Sequence, residues 1–168
     1  MASILNVDKI RATGSTTDGL TVDSSGRVFT PARPGFRAGS NGTQNNLTGI
    51  IIYNQVDQTT KGQYNTGMYD ITTGKATIPI AGLYFYTAQL YPQDQAGCDA
   101  ALKLQIGGTG TAHDIDAHYE QGSQNGYPTM RLTGALKLAA SDVLYVNINS
   151  GTGHLNGNKS HFDMYLIG

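Results

Sequence analysis

Thr73-Gly74-Lys75-Ala76-Thr77-Ile78-Pro79 runs through Ile80 into Ala81-Gly82-Leu83-Tyr84-Phe85-Tyr86. Two short β-rich runs meet at a proline and a glycine, the pattern of an antiparallel sheet passing from one strand to the next. Pro79 falls between the strands, where a missing N–H does no harm, and Gly82 permits the turn. Beyond Gly82 successive side chains point to opposite faces, so Leu83 and Phe85 share one side and Tyr84 and Tyr86 the other. One side fills a sandwich, and the other can pack on a neighbour.

The same alternation recurs every ten to fifteen residues on both sides of this block. Strands are expected at Gly35–Ser40, Gly49–Val56, Tyr69–Asp70, Lys75–Ile78, Gly82–Leu90, Ala100–Ile106, His113–Glu120, Thr129–Leu138, Val143–Asn149 and Phe162–Ile167. Reversals are expected at Thr73-Gly74, Ala81-Gly82, Gly107-Gly108, Asn125-Gly126, Gly151-Thr152-Gly153 and Asn156-Gly157, where the backbone accepts positive φ. The best helical candidate, Ala135–Ala140, is too short. Ten short strands in one domain predict an all-β, ten-stranded jelly-roll sandwich.

At 168 residues the chain has room for one domain and an extension. Charged residues make up only 14% and glycine numbers 22, against about 25% charge and about 7% glycine in an ordinary domain. Neutral polar side chains must therefore cover the surface, which suits long-lived assemblies. The net charge is −1, with 11 Lys and Arg residues in no dense cluster, so a nucleic-acid partner is not expected. Cys98 is the one cysteine; it reads as a structural free thiol in or beside a loop, so packing and subunit association must supply stability. No apolar run could span a bilayer, and MASILNVDKI lacks the plan of a signal peptide, so synthesis in a cytoplasm is expected.

The first thirty residues differ in character. Residues 3–10 alternate briefly, and a Gly/Ser/Thr/Asp-rich stretch with little to bury follows. Ordering costs about 1–2 kcal/mol of backbone entropy per residue, so this piece is expected to stay extended until it pairs with a partner or its own copies. Pro31 to Pro34 stiffen the junction. The expected division is residues 1–31 as an attachment segment and 32–168 as the β domain.

From Phe36 onward the motif order resembles the C1q-like branch of the TNF/C1q jelly-roll superfamily. Gly62, Tyr64, Gly74, Thr77, Pro79, Gly82, Leu83, Tyr84 and Tyr86 stand where that pattern has them, and Ala76 replaces a usual aromatic. Phe36-Arg37-Ala38 is similar to the opening strand. Leu136-Lys137-Leu138 leading to Asp142-Val143-Leu144-Tyr145-Val146 is similar to L-x-L-x-x-G-D-x-V, with Ser141 in place of the glycine. Phe162 to Ile167 resemble F-x-G-x-L-I, with Asp163 and Met164 departing from the usual small residues. The resemblance implies a compact homotrimer with apolar and tyrosine faces meeting along the axis, and ten tyrosines against no tryptophan fit that. Tyr84, Tyr86, Tyr145 and Tyr165 are the side chains expected there.

The segment from Ser3 to Val28 resembles the short openings of fibre and decoration proteins of tailed bacteriophages. That implies a virion component, with Ile4, Leu5, Val7 and Ile10 attaching it to a capsid or tail protein. The head would meet a host-surface glycan or decorate the particle. Its outward loops would be Tyr91–Ala100, Ile106–Asp114, Gln121–Thr129 and Ser150–Ser160. The alternative is a soluble C1q-like module binding carbohydrate or protein.

Two acidic clusters offer candidate metal ligands. Asp114, Asp116 and His118 would share one face of a strand and make a ligand edge. A solvated outer strand is preferred, because no other ligand group is tied to them by spacing. Asp94 and Asp99 flank a Gly-Cys turn and could join a calcium site, but no resident cofactor is expected. No G-x-S-x-G elbow, H-E-x-x-H or phosphate-cradling loop occurs, and Ile106-Gly107-Gly108-Thr109-Gly110 reads as a hairpin turn. The chain is therefore read as non-enzymatic.

Overall fold

The computed structural model describes residues 8–11, 13–14, 16, 19–30, 33–56, 64–92, 97–121, 128–157 and 159–168. They fall into two compact units, residues 1–33 and 34–168.

In the first unit, β1 (Lys9–Ile10), β2 (Leu20–Val22) and β3 (Val28–Phe29) form an antiparallel three-stranded sheet. The β2–β3 turn is tied by Asp23, whose Oδ1 accepts the N–H groups of Ser25 and Arg27 at 2.9 Å each. Its Oδ2 meets Arg27 Nε at 2.7 Å. This corrects the expectation of a merely extended segment: an Asx-type turn supplies pairing that composition did not reveal. Ile10 remains 53% exposed. Ile4, Leu5 and Val7 lie outside the described residues.

The second unit is the jelly roll, two sheets face to face around one core. The first sheet runs β12 (Met130–Leu138), β9 (Gly82–Pro92), β14 (His161–Leu166), β4 (Gly35–Gly39), β6 (Tyr64–Asn65). The second is built on β13 (Val143–Leu155). That strand pairs with β10 (Cys98–Gln105) along one side and with β5 (Gln44–Ile50) and β8 (Lys75–Thr77) on the other. β11 (His113–Glu120) flanks β10, and β7 (Tyr69–Asp70) flanks β8. The sheets are joined where β13 pairs with the end of β9.

The core is aromatic at its centre. Phe36 stacks on Tyr69 at 4.7 Å and meets Phe162 edge-on at 5.0 Å. Buried phenols need partners: Tyr53 donates to the Gln89 carbonyl and Tyr84 to the Ile80 carbonyl, while Tyr69 Oη accepts the Tyr53 N–H. Ala76 and Met164, the two departures from the resembled pattern that fall inward, are both fully buried. Ahead of β13 the turn uses Ser141 at φ 73° where the resembled pattern has glycine. Asp142 accepts the Ala139 and Gly107 N–H groups there at 2.9 Å each.

Two expectations for the strands and turns are corrected. Ladder pairing at the second strand begins at Gln44 and stops at Ile50, ahead of the expected Gly49–Val56, because the polar run Gln44-Asn45-Asn46-Leu47 pairs with the far half of β13. Gly151-Thr152-Gly153 is no reversal. β13 runs through it, with Gly151 at φ 75° in register with Cys98, just past a bulge at Asn149 opposite Asp99 and Ala100. Cys98 is a buried free thiol at the first residue of β10, beside the loop as expected.

Candidate functional site

The first sheet has two faces, and strand parity decides what each carries. Tyr84, Tyr86, Ala88 and Leu90 of β9 point inward and are buried in the core, as are Phe162 and Met164 of β14. Tyr84 is 0% exposed. Tyr84 and Tyr86 therefore belong to the chain's own core and have no surface left to meet a neighbour, which corrects their place in the expected interface. Tyr86 lies over Gly134, where a Cβ would come within 2.7 Å of its hydroxyl, and that hydroxyl meets Asp116 Oδ2 at 3.0 Å. Burial and this carboxylate push the phenol up to about 12.

The opposite parity faces out. Leu83 and Phe85 of β9, Ala135 and Lys137 of β12, and Tyr165 of β14 occupy adjacent register positions, with Phe85 directly opposite both Tyr165 and Ala135. The Phe85 and Tyr165 rings lie 5.3 Å apart. Leu83, Tyr165 and Ile167 are about 40% exposed. The chain end holds the band in place, since Leu83 donates to the Gly168 carbonyl and accepts from Ile167. Isolated exposed apolar side chains are ordinary on a protein surface; a contiguous apolar stripe is the mark of an interaction surface.

Beside the stripe runs a polar row. Arg37 of β4 stands opposite Asp163 of β14 and binds its Oδ2 at 2.6 Å. Asp163 is only 8% exposed although it faces outward, and its Oδ1 has no hydrogen-bond partner among the described residues. Burial pushes this carboxyl up to about 6, which Arg37 only partly offsets. One strand position away, Arg131 donates to Gln89 Oε1 at 2.8 Å. Buried polar groups are hydrogen-bonded as a rule, which sets this oxygen apart from the rest of the polar row.

Tyr145 lies elsewhere. It projects from the outer surface of the second sheet, opposite Lys103, with the Lys75 ammonium 5.3 Å from its ring centroid. It is 8% exposed, covered by its own chain. Of the four tyrosines, Tyr165 alone lies on the apolar stripe. On β9 it is Leu83 and Phe85, not Tyr84 and Tyr86, that face outward, and nothing local in the sequence says which parity the second sheet covers.

The candidate metal ligands do not converge. A bulge in β11 between the partners of Leu102 and Lys103 turns Asp114 away from Asp116 and His118. Asp114 then pairs with Lys103 and Asn149, Asp116 serves Tyr86 and the Thr133 N–H, and His118 sits against Glu120 and the Arg131 carbonyl. Asp99 stands opposite Tyr119 and Ser150. Asp94 lies outside the described residues. Among the described residues no three His, Cys, Asp or Glu side chains gather as metal ligands.

No known family profile matches the sequence. Solved structures do match. The Eiger TNF of S. frugiperda superposes with a TM-score of 0.58 at 15% identity, over 81% of this chain and 93% of that one. The globular domain of the zebrafish complement 1qA protein gives 0.61 at 14% identity, over 80% and 98%. The chain has the C1q/TNF-like jelly-roll fold.

Proposed function

We propose that this chain is a non-enzymatic recognition head that assembles as three copies of itself through the outer face of its five-stranded sheet. The observation that carries this is the stripe of Leu83, Phe85, Tyr165 and Ile167 beside the half-satisfied Arg37–Asp163 pair. Fully burying an exposed side chain of this size is worth about 1.5–3 kcal/mol, so covering the two-fifths still exposed on Leu83, Tyr165 and Ile167 adds on the order of 1 kcal/mol each. The resemblance read from the sequence supports a second copy as that partner, and closed rings of identical subunits follow when one patch meets a different patch of its neighbour.

The finer reading is a virion component of a tailed bacteriophage, a fibre or decoration protein made in the host cytoplasm. Residues 1–31 would attach it, Ile4, Leu5, Val7 and Ile10 meeting a capsid or tail protein. The resemblance of that segment and the sparsely charged surface support it. Mass spectrometry of purified particles tests it: the chain is expected in stoichiometric amount, and its absence overturns the virion role. The two solved neighbours, one a complement protein and the other a TNF, favour a second reading, a C1q-like binding module independent of any particle. Recovery of the chain free of particles would support that reading.

A further inference from the structure

β14 is the middle strand of the five-stranded sheet, and Asp163 lies on its outer face. Its neighbours along the strand on that face are His161 and Tyr165, the latter on the apolar stripe. Across the sheet it stands opposite Arg37 of β4 and Thr87 of β9. Beyond Arg37 comes Tyr64 of β6, and in the next row Arg131 of β12 stands opposite Gln89. On the inner side Phe162 and Met164 fill the core, and the Tyr53 phenol is buried there as well. Water can therefore reach the carboxyl only from the side on which the stripe lies.

The groups around it act unequally. Arg37 Nη1 holds Oδ2 at 2.6 Å, while Oδ1 has no partner among the described residues. One charge-assisted bond to one oxygen offsets only part of the lost hydration, so burial keeps this carboxyl at about 6. His161 is pushed the other way: burial, and then Arg37 and Arg131, hold its imidazole below the ordinary range, so above about pH 6.5 it is neutral. Burial and then Asp163 raise the Tyr64 phenol, which keeps its proton in neutral solution. Arginine keeps its charge at any pH a protein meets. Asp163 is thus the group on this face whose charge changes near neutrality.

We propose that Asp163 makes the meeting of copies through this face depend on pH, holding the assembly together in mild acid and loosening it as the medium turns alkaline. A neighbour laid on the stripe takes away the water above Asp163 and leaves the bond with Arg37 as it is. That loss penalises the ionised carboxylate more than it strengthens a pair made through one oxygen. Assembly therefore takes up a proton at Asp163 wherever free chains have lost it, which is above pH 6. By linkage the association constant falls about tenfold per pH unit for each proton taken up. The inference rests on the reading of this face as the contact between copies, and adds its regulation.

Sedimentation velocity of the full chain at pH 6.5 and pH 8.5 tests it, with Asp163→Asn and His161→Gln alongside and circular dichroism to confirm that each variant keeps its β signature. Wild type is expected to associate about tenfold more weakly at the higher pH. Asp163→Asn is expected to associate equally at both, and His161→Gln to follow wild type. A wild type that assembles without regard to pH, or more tightly as pH rises, overturns the inference alone. So does an Asp163→Asn that follows wild type, or a His161→Gln that loses the response. A wild type that stays a single chain at both pH values overturns the contact between copies and the inference with it.

Discussion

Ser141 shows at the scale of one residue how far the sequence can be read. The replacement of a usual glycine before Asp142 marked an uncertain turn, and the structure resolves it as a serine in the left-handed region at φ 73°. That conformation costs a side-chain-bearing residue about 1–2 kcal/mol, and glycine would return part of the gain through its freer unfolded chain. Ser141→Gly is expected to stabilise the protein by roughly 0.5–1 kcal/mol, seen as a higher denaturation midpoint. Asp163 gives a second residue-scale prediction. Its departure from a small residue was legible, its burial was not, because the strand packed beside it carries Arg37, 126 positions away in the sequence. Its folded carboxyl titrates near 6, above its unfolded value near 4. Both states are protonated well below pH 4, and between there and pH 6 only the folded chain keeps the proton. Stability from this site is therefore present at low pH and lost as pH rises through 6. Unfolding by denaturant at pH 4 and pH 7 should show wild type losing on the order of 2 kcal/mol relative to Asp163→Asn. An unchanged difference between the two would contradict the burial argument.

At the scale of elements, alternation located most strands, and His113–Glu120 was met residue for residue. What it could not give was the continuation of β13 through two glycines. Glycine pairs read as reversals, because positive φ serves turns and bulges alike. Only contact with β10 distinguishes them: a Cβ on Gly151 would fall 2.0 Å from the Gly97 carbonyl oxygen. Gly151→Ala is expected to cost 3 kcal/mol or more, roughly the upper range for single changes, since backbone cannot give way as a flexible side chain can. Chemical denaturation checks it, and a loss below about 1 kcal/mol would mean that the bulge relaxes. The pairing of β5 with β13 was invisible for a related reason, since Asn46 and Gly49 at φ 55° and 65° interrupt any apolar period.

For the whole molecule, the two-sheet sandwich was legible because its inner faces alternate so regularly, while the sign of that alternation was not. Whether Tyr84 or Phe85 turns inward depends on where the second sheet lies, a tertiary fact. The corrected parity moves the candidate interface from buried phenols to Leu83, Phe85, Tyr165 and Ile167, and it is this stripe that an assembly must cover. Sedimentation velocity of the full chain and of Phe85→Glu, with circular dichroism to confirm that the variant keeps its β signature, tests that most directly. Wild type is expected to sediment at three times the 17.8 kDa chain mass, and the variant as a single folded chain. A monomeric wild type, or a variant that assembles as wild type does, would contradict the account.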